Sequence, residues 1–184
     1  MNLPNILTLI RVLLIPFFVI FIINKNFQWA FFTFAIAGIT DGMDGLLARI
    51  THQRTELGAY LDPIAYKLLL SSAFISLAII EFIPSWLVVI VITRDVIILM
   101  GFLVMWLTNY RPEIKPSLLS KLTTGFQIAT ILFVLMIDHS RTFQQLSVIS
   151  IYATAVLTIL SGFHYIYTGT RILNGKNKAP QREK

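Results

Sequence analysis

TDGMDGLLARITHQRTELGAYLDPIAYKLLL, residues 40–70, sets three carboxylates, Asp41, Asp44 and Asp62, between apolar runs and places a phenol, Tyr66, one helical turn beyond the last of them. A bare carboxylate is costly in such surroundings, so these acids need partners. At about 100° per residue, Asp41, Asp44, Gly45 and Ala48 fall on one side of a helix, and Gly58, Asp62, Ala65 and Tyr66 fall on one side of the next. The polar run Thr51 to Glu56 separates the two, so two acidic faces can look at each other across a turn.

Working outward, the surroundings are lipid-like. The 184 residues are 56% hydrophobic and 13% charged, the mean hydropathy is +0.75, and apolar stretches near the length of about 20 residues that crosses a bilayer recur along the chain. The expected fold is an all-α integral membrane protein with six transmembrane helices, at roughly 5–23, 28–49, 59–80, 85–107, 117–137 and 144–168. The breaks carry turn chemistry: Asn24-Lys25-Asn26, Thr51 to Glu56, Pro84-Ser85, Asn109 to Pro116 and Asp138 to Thr142. A cytoplasmic N-terminus collects Arg49, Arg54, Arg111, Lys115, Lys121 and the basic tail on one side and leaves Lys25 and Arg141 on the other, so both termini are expected in the cytoplasm. Residues 1–172 read as one domain and 173–184 as a basic, disordered cytoplasmic tail.

The net charge of +6 reads as membrane orientation rather than nucleic-acid binding, and the absence of cysteine removes disulfide, zinc-ribbon and thiol chemistry. The first apolar segment lacks a small-residue cleavage site and more spans follow it, so it reads as retained. No Arg-rich, acid-poor presequence precedes it, which makes a bacterial cytoplasmic membrane the expected location.

Three carboxylates held close raise one another's pKa unless a cation joins them. Oxygen ligands without His or Cys favour a hard divalent ion, magnesium, manganese or calcium, over zinc or copper. A plain packing alternative pairs the acids with Arg49 or Lys67, but two cations do not outnumber three acids. Gly45, Ala48 and Gly58 leave a cleft open for an extended ligand, and Arg49 and Thr55 at its mouth suit phosphate oxygens. Small residues equally serve helix packing. A metal, a phosphate-holding Arg and an open slot point to phosphoryl chemistry at the membrane surface.

Written with its spacings, the stretch is D-x2-D-G-x2-A-R-x8-G-x3-D-x3-Y. It resembles the signature of the CDP-alcohol phosphotransferase family, D-x2-D-G-x2-A-R-x8-G-x3-D-x3-D, at seven of eight defining positions over 26 residues. The likeness extends to the opening PNILTLIR, to six helices and to overall length. The resemblance implies transfer of a substituted phosphate from a CDP-linked donor to an alcohol, with release of CMP. It implies that Asp41, Asp44 and Asp62 hold divalent metal, magnesium or manganese, that Gly45, Ala48 and Gly58 admit the cytidine, and that Arg49 and Thr55 contact the nucleotide phosphates. Homodimerisation is expected on the same ground.

The departure is Tyr66, where the family carries its last Asp, a metal ligand and the general base for the attacking hydroxyl. A phenol with an ordinary pKa near 10 is a poor base at neutral pH and a weaker ligand. This leaves three readings open: a substitution in an active enzyme, a natural member with another base, or a member that binds donor but turns over poorly. An enzyme scaffold, low in activity if position 66 supplies the base, is the expectation. The alternative for Tyr66 is a lipid-facing or packing aromatic, against which stands its helical phase with Asp62.

The donor expected for such six-helix members is CDP-diacylglycerol. The segments ITRDVIILMG and IKPSLLSKLTTGFQ resemble the cardiolipin synthases of the family more than its phosphatidylglycerophosphate synthases, which makes phosphatidylglycerol the expected acceptor and glycerol 3-phosphate the alternative. Either carries a phosphate, for which Arg94, Lys115 and Lys121 are the candidate cations. Lys115 and Lys121 also read as juxtamembrane topology charges, and Arg94 as a partner of Asp95. Two other classes fit intramembrane acids: a small cation transporter and a catalytically silent scaffold.

Overall fold

The computed structural model describes residues 3–50, 56–107, 118–137 and 140–176, with side chains described for 8–40, 64–101, 118–137 and 140–171. Every regular element among them is a helix: α1 (Leu3–Ile23), α2 (Phe27–Ile50), α3 (Glu56–Ile79), α4 (Ser85–Leu107), α5 (Leu118–Leu135) and α6 (Arg141–Lys176). Each expected span corresponds to one helix. Two of them, α5 and the Arg141–Arg171 part of α6, are long and apolar enough among the described residues to cross a membrane. α6 continues to Lys176, into the segment read as tail, and residues 177–184 lie outside the described residues.

Helix ends follow local chemistry. Lys25 and Glu81 adopt left-handed φ values of 55° and 63° just past α1 and α3. In each case a paired closure follows: Asn26 N–H reaches Phe21 O at 2.8 Å and Lys25 N–H reaches Ile22 O at 2.9 Å, while Phe82 N–H reaches Leu77 O at 2.9 Å and Glu81 N–H reaches Ala78 O at 3.0 Å. These bonds satisfy the last carbonyls of each helix. Ser140 caps α6, its Oγ accepting from Thr142 N–H at 3.0 Å.

α1 packs on α2 and α3, α6 packs on α4 and α5, α3 touches α4, and α5 touches α2 and α3. Phe18, Ile22, Phe34, Phe74, Leu77 and Leu87 are buried in the apolar core, and Phe18 and Phe34 meet with ring centroids 5.6 Å apart. Ala30, Ala37 and Ala73 are fully buried, which lets backbones approach. The outer surface is apolar as well: Leu13, Ile39, Ile79, Val89 and Phe163 are more than half exposed, the pattern of a bundle whose solvent is lipid.

Between α5 and α6 the seam is polar. Thr130 and Thr154 share a buried hydroxyl–hydroxyl bond of 2.8 Å, and the Thr123 hydroxyl donates both to Leu119 O on its own helix at 2.8 Å and to Leu157 O on α6 at 3.2 Å. With no water to compete, such bonds fix the register of the two helices. Thr130→Val should therefore lower the thermal midpoint by the equivalent of about 1 kcal/mol, because Thr154 is left unpaired, and Thr130→Val/Thr154→Val should recover most of that loss; midpoints of the purified protein in one detergent measure both.

Candidate functional site

Polar side chains of four helices meet in the interior. Arg94, on α4, is buried: its Nη1 donates to Asp95 Oδ1 at 2.7 Å, and its Nη2 donates to Ser120 Oγ of α5 at 2.7 Å and to Ser161 Oγ of α6 at 3.3 Å. Its guanidinium carbon lies 5.9 Å from the centroid of the Tyr165 ring, a cation–π distance. Lys67 of α3 brings a second cation, Nζ standing 3.8 Å from Asp95 Oδ1. One carboxylate thus faces two cations.

These groups border a cavity of about 180 Å³ lined by Tyr66, Lys67, Arg94, Asp95, Thr124 and Gln127, with Ser120 and Tyr165 closing its side. Lys67 Nζ, Arg94 Nε and Gln127 Nε2 are buried nitrogens with no hydrogen-bond acceptor among the described residues. Buried donors without acceptors are costly, and three around one cavity fit an oxygen-rich anion. A second hollow, about 310 Å³ and almost wholly apolar, lies between α4 and α6. It is lined by Val89, Thr93, Ile97, Ile159 and Phe163 and reaches Arg94 from the other side.

The residues singled out in the sequence divide sharply. Asp41, Asp44, Gly45, Ala48 and Arg49 lie in the C-terminal half of α2, and Gly58 and Asp62 in the first two turns of α3; their side chains are outside the described residues, as are Thr55 and Lys115 altogether. Tyr66 is part-buried, packs against the apolar core and lines the cavity, so it is not a lipid-facing aromatic. Arg94 is where a phosphate-binding guanidinium was sought, and it is also paired with Asp95. Lys121 is exposed near the start of α5 and does not line the cavity. Lys67 pairs with Asp95 of α4.

Asp95, Ser120, Thr124, Gln127 and Tyr165 were not singled out as site residues. A signal was present: Ser120, Thr123, Thr124, Gln127 and Thr130 recur at helical spacing along an apolar span, where polar side chains face the bundle interior. Arg11 gave the same signal unread and is fully buried in α1.

The fold is an all-helical bundle with the apolar outer surface of a membrane protein, and its interior cavity is bordered by two cations, Lys67 and Arg94. The chain belongs to the CDP-alcohol phosphatidyltransferase family, whose family model matches residues 1–160. It is 38% identical over 147 residues to a probable CMP-forming cardiolipin synthase of Drosophila melanogaster, covering 71% of this chain and 46% of that protein. It is 36% identical over 184 residues to a probable phosphatidylglycerophosphate synthase of Mycobacterium tuberculosis, covering 95% and 84%. It is 36% identical over 175 residues to a CDP-diacylglycerol–glycerol-3-phosphate 3-phosphatidyltransferase of Pectobacterium atrosepticum, covering 90% and 93%. The chain spans about half the length of the animal cardiolipin synthase and most of the bacterial enzymes. A transferase family accounts for the acidic motif, which a cation pathway leaves unexplained.

Asp95 is the hub of the cavity's charge. Asp95→Leu should destabilise the protein by about 3 to 5 kcal/mol by leaving two buried cations uncompensated, whereas Arg94→Met/Asp95→Leu should cost clearly less than the single change; thermal midpoints in one detergent give the comparison.

Proposed function

We propose that the chain moves a phosphatidyl group from CDP-diacylglycerol to phosphatidylglycerol, releasing CMP. The observation that carries the reading is the trio of buried nitrogens on Lys67, Arg94 and Gln127, without acceptors among the described residues, around a cavity that begins one helical turn from Asp62. A phosphate placed there supplies the missing oxygens and offsets the cation surplus. The preference for a lipid acceptor is supported by the apolar hollow between α4 and α6, which gives Arg94 a lipid side as well as a polar side.

On this reading the domain of residues 1–172 crosses the bacterial cytoplasmic membrane six times with both termini inside, works as a homodimer, and ends in the basic tail 173–184. Asp41, Asp44 and Asp62 offer the all-oxygen ligand set that magnesium or manganese takes, and such an ion, when bound, would neutralise the donor diphosphate. Gly45, Ala48 and Gly58 leave room for the cytidine, and Arg49 and Thr55 hold nucleotide phosphates. Arg94 anchors the acceptor phosphate, and Lys115 and Lys121 help hold it. The acceptor hydroxyl attacks the phosphatidyl phosphorus, a new P–O bond forms, the P–O bond to CMP breaks, and the hydroxyl proton leaves toward position 66. Tyr66 serves that last role poorly, because a phenol holds its own proton near neutral pH.

A second reading, glycerol 3-phosphate as acceptor, is favoured by one observation: the bacterial relatives matched over nine-tenths of this chain carry phosphatidylglycerophosphate synthase or glycerol-3-phosphate phosphatidyltransferase names.

Tyr66→Asp should raise CMP release from CDP-diacylglycerol with phosphatidylglycerol by about 10² to 10⁴, the range of general-base catalysis, with Asp62→Asn as the inactive control. An unchanged rate in folded, donor-binding protein overturns the assignment of position 66, and release with glycerol 3-phosphate alone replaces the lipid acceptor by the soluble one. Donor affinity gives a separate check: CDP-diacylglycerol should bind more tightly with magnesium or manganese than with chelator, and equal binding removes the metal from the donor site.

A further inference from the structure

The two acceptors weighed above share a chemical unit that neither the family motif nor the cationic cluster reads. Each presents a primary hydroxyl, then a secondary hydroxyl, then a phosphate along one three-carbon chain. If the phosphate is held at Arg94 and Lys67 and the primary hydroxyl is delivered toward position 66, the secondary hydroxyl lies between them. It then faces whatever neutral polar group the cavity offers.

Most cavity-lining groups are already engaged. Asp95 is taken by the two cations, and Ser120 Oγ accepts from Arg94 at 2.7 Å. The Thr124 hydroxyl donates to Ser120 O of its own helix at 3.1 Å, and the Tyr165 ring stands near the guanidinium. Gln127 is different: it is 1% exposed, its Nε2 has no acceptor among the described residues, and it lines the same cavity as Tyr66 and Arg94. Burying a primary amide in a membrane bundle without using its donors is costly unless a ligand completes it. Being neutral, with both donor and acceptor, an amide suits a hydroxyl better than a phosphate, for which cations are already present.

We infer that Gln127 is a specificity-determining residue that hydrogen-bonds the secondary hydroxyl of the acceptor's glycerol unit. This rests on the acceptor reading given above but not on which of the two acceptors is used. A polar group that completes its hydrogen bond only with the correct substrate discriminates against an analogue lacking the hydroxyl, because the amide is then left unpaired.

The test measures binding to the full-length purified protein by titration calorimetry in detergent, using two matched pairs. One pair is soluble, glycerol 3-phosphate and propane-1,3-diol monophosphate. The other is lipidic, phosphatidylglycerol and the corresponding phosphatidylpropanediol. The unmodified chain should favour the glycerol member by about tenfold in whichever pair it binds, and Gln127→Leu should bind both members alike, at the weaker level. Removing an unpaired buried amide should leave folding intact or improve it, and Gln127→Met provides a second near-isosteric variant. Equal binding of the two members by the unmodified chain, or preference retained in Gln127→Leu and Gln127→Met, overturns the role of Gln127 alone. Binding of none of the four compounds overturns the acceptor site together with it. The pair that binds identifies the soluble or the lipid source of the glycerol unit.

Discussion

A guanidinium inside an apolar helical bundle has to be surrounded, and the placement of α3, α4, α5 and α6 answers to that need. Arg94 cannot lose its charge and cannot reach water from its buried position, so each N–H requires an oxygen supplied by protein or ligand. Asp95 supplies one from the same helix, Ser120 one from α5, and Ser161 one from α6, while Tyr165 covers the cation with a ring. Asp95 in turn reaches Lys67 of α3. Arg94 thereby ties two neighbouring helices to α4, its partner Asp95 adds a third, and the threonine seam between α5 and α6 keeps Ser120 and Ser161 on the same side of it.

The same arrangement leaves an imbalance. Among the described residues, two cations, Lys67 and Arg94, face one carboxylate, Asp95, around the cavity. Stability alone would favour apolar packing or an equal number of acids. Three buried nitrogens, on three different helices, have no acceptor among the described residues, which points the same way. On the proposed reading, a ligand's oxygens and negative charge complete this polar cluster, a pattern more economical as a binding site than as a structural tie.

Hydropathy carried the helices well because each contains a long apolar run, and turn residues such as Asn24 to Asn26 and Pro84 mark the breaks. Arg94 was legible for the reason that makes it costly: an ionisable group deep in an apolar run has few roles. Its companions were harder to see. Ser120, Gln127 and Tyr165 are unremarkable singly, and their meaning comes from being brought to one cavity by helices separated along the chain, which spacing within one helix does not encode. Lys121 is a different case, since a cation near a helix start reads the same whether it serves a ligand or the membrane surface; it is exposed and does not line the cavity. The acidic motif is the reverse case: its spacing matches the family signature, while its side chains lie outside the described residues.

Position 66 joins the two halves of the site. A carboxylate there would stand beside Lys67 and border the same cavity as Arg94, offsetting the positive surplus that a phosphate is proposed to satisfy. A neutral phenol leaves that surplus intact, and its ring packs on the apolar core. On the proposed reading, the substitution acts in opposite directions on the two parts of the task. It withdraws the base that accepts the hydroxyl proton, and it leaves the cations fully available to the acceptor phosphate. A chain of this kind holds its acceptor at least as firmly as a relative with Asp at that position while turning it over more slowly, so binding and rate have to be measured separately to see what Tyr66 does.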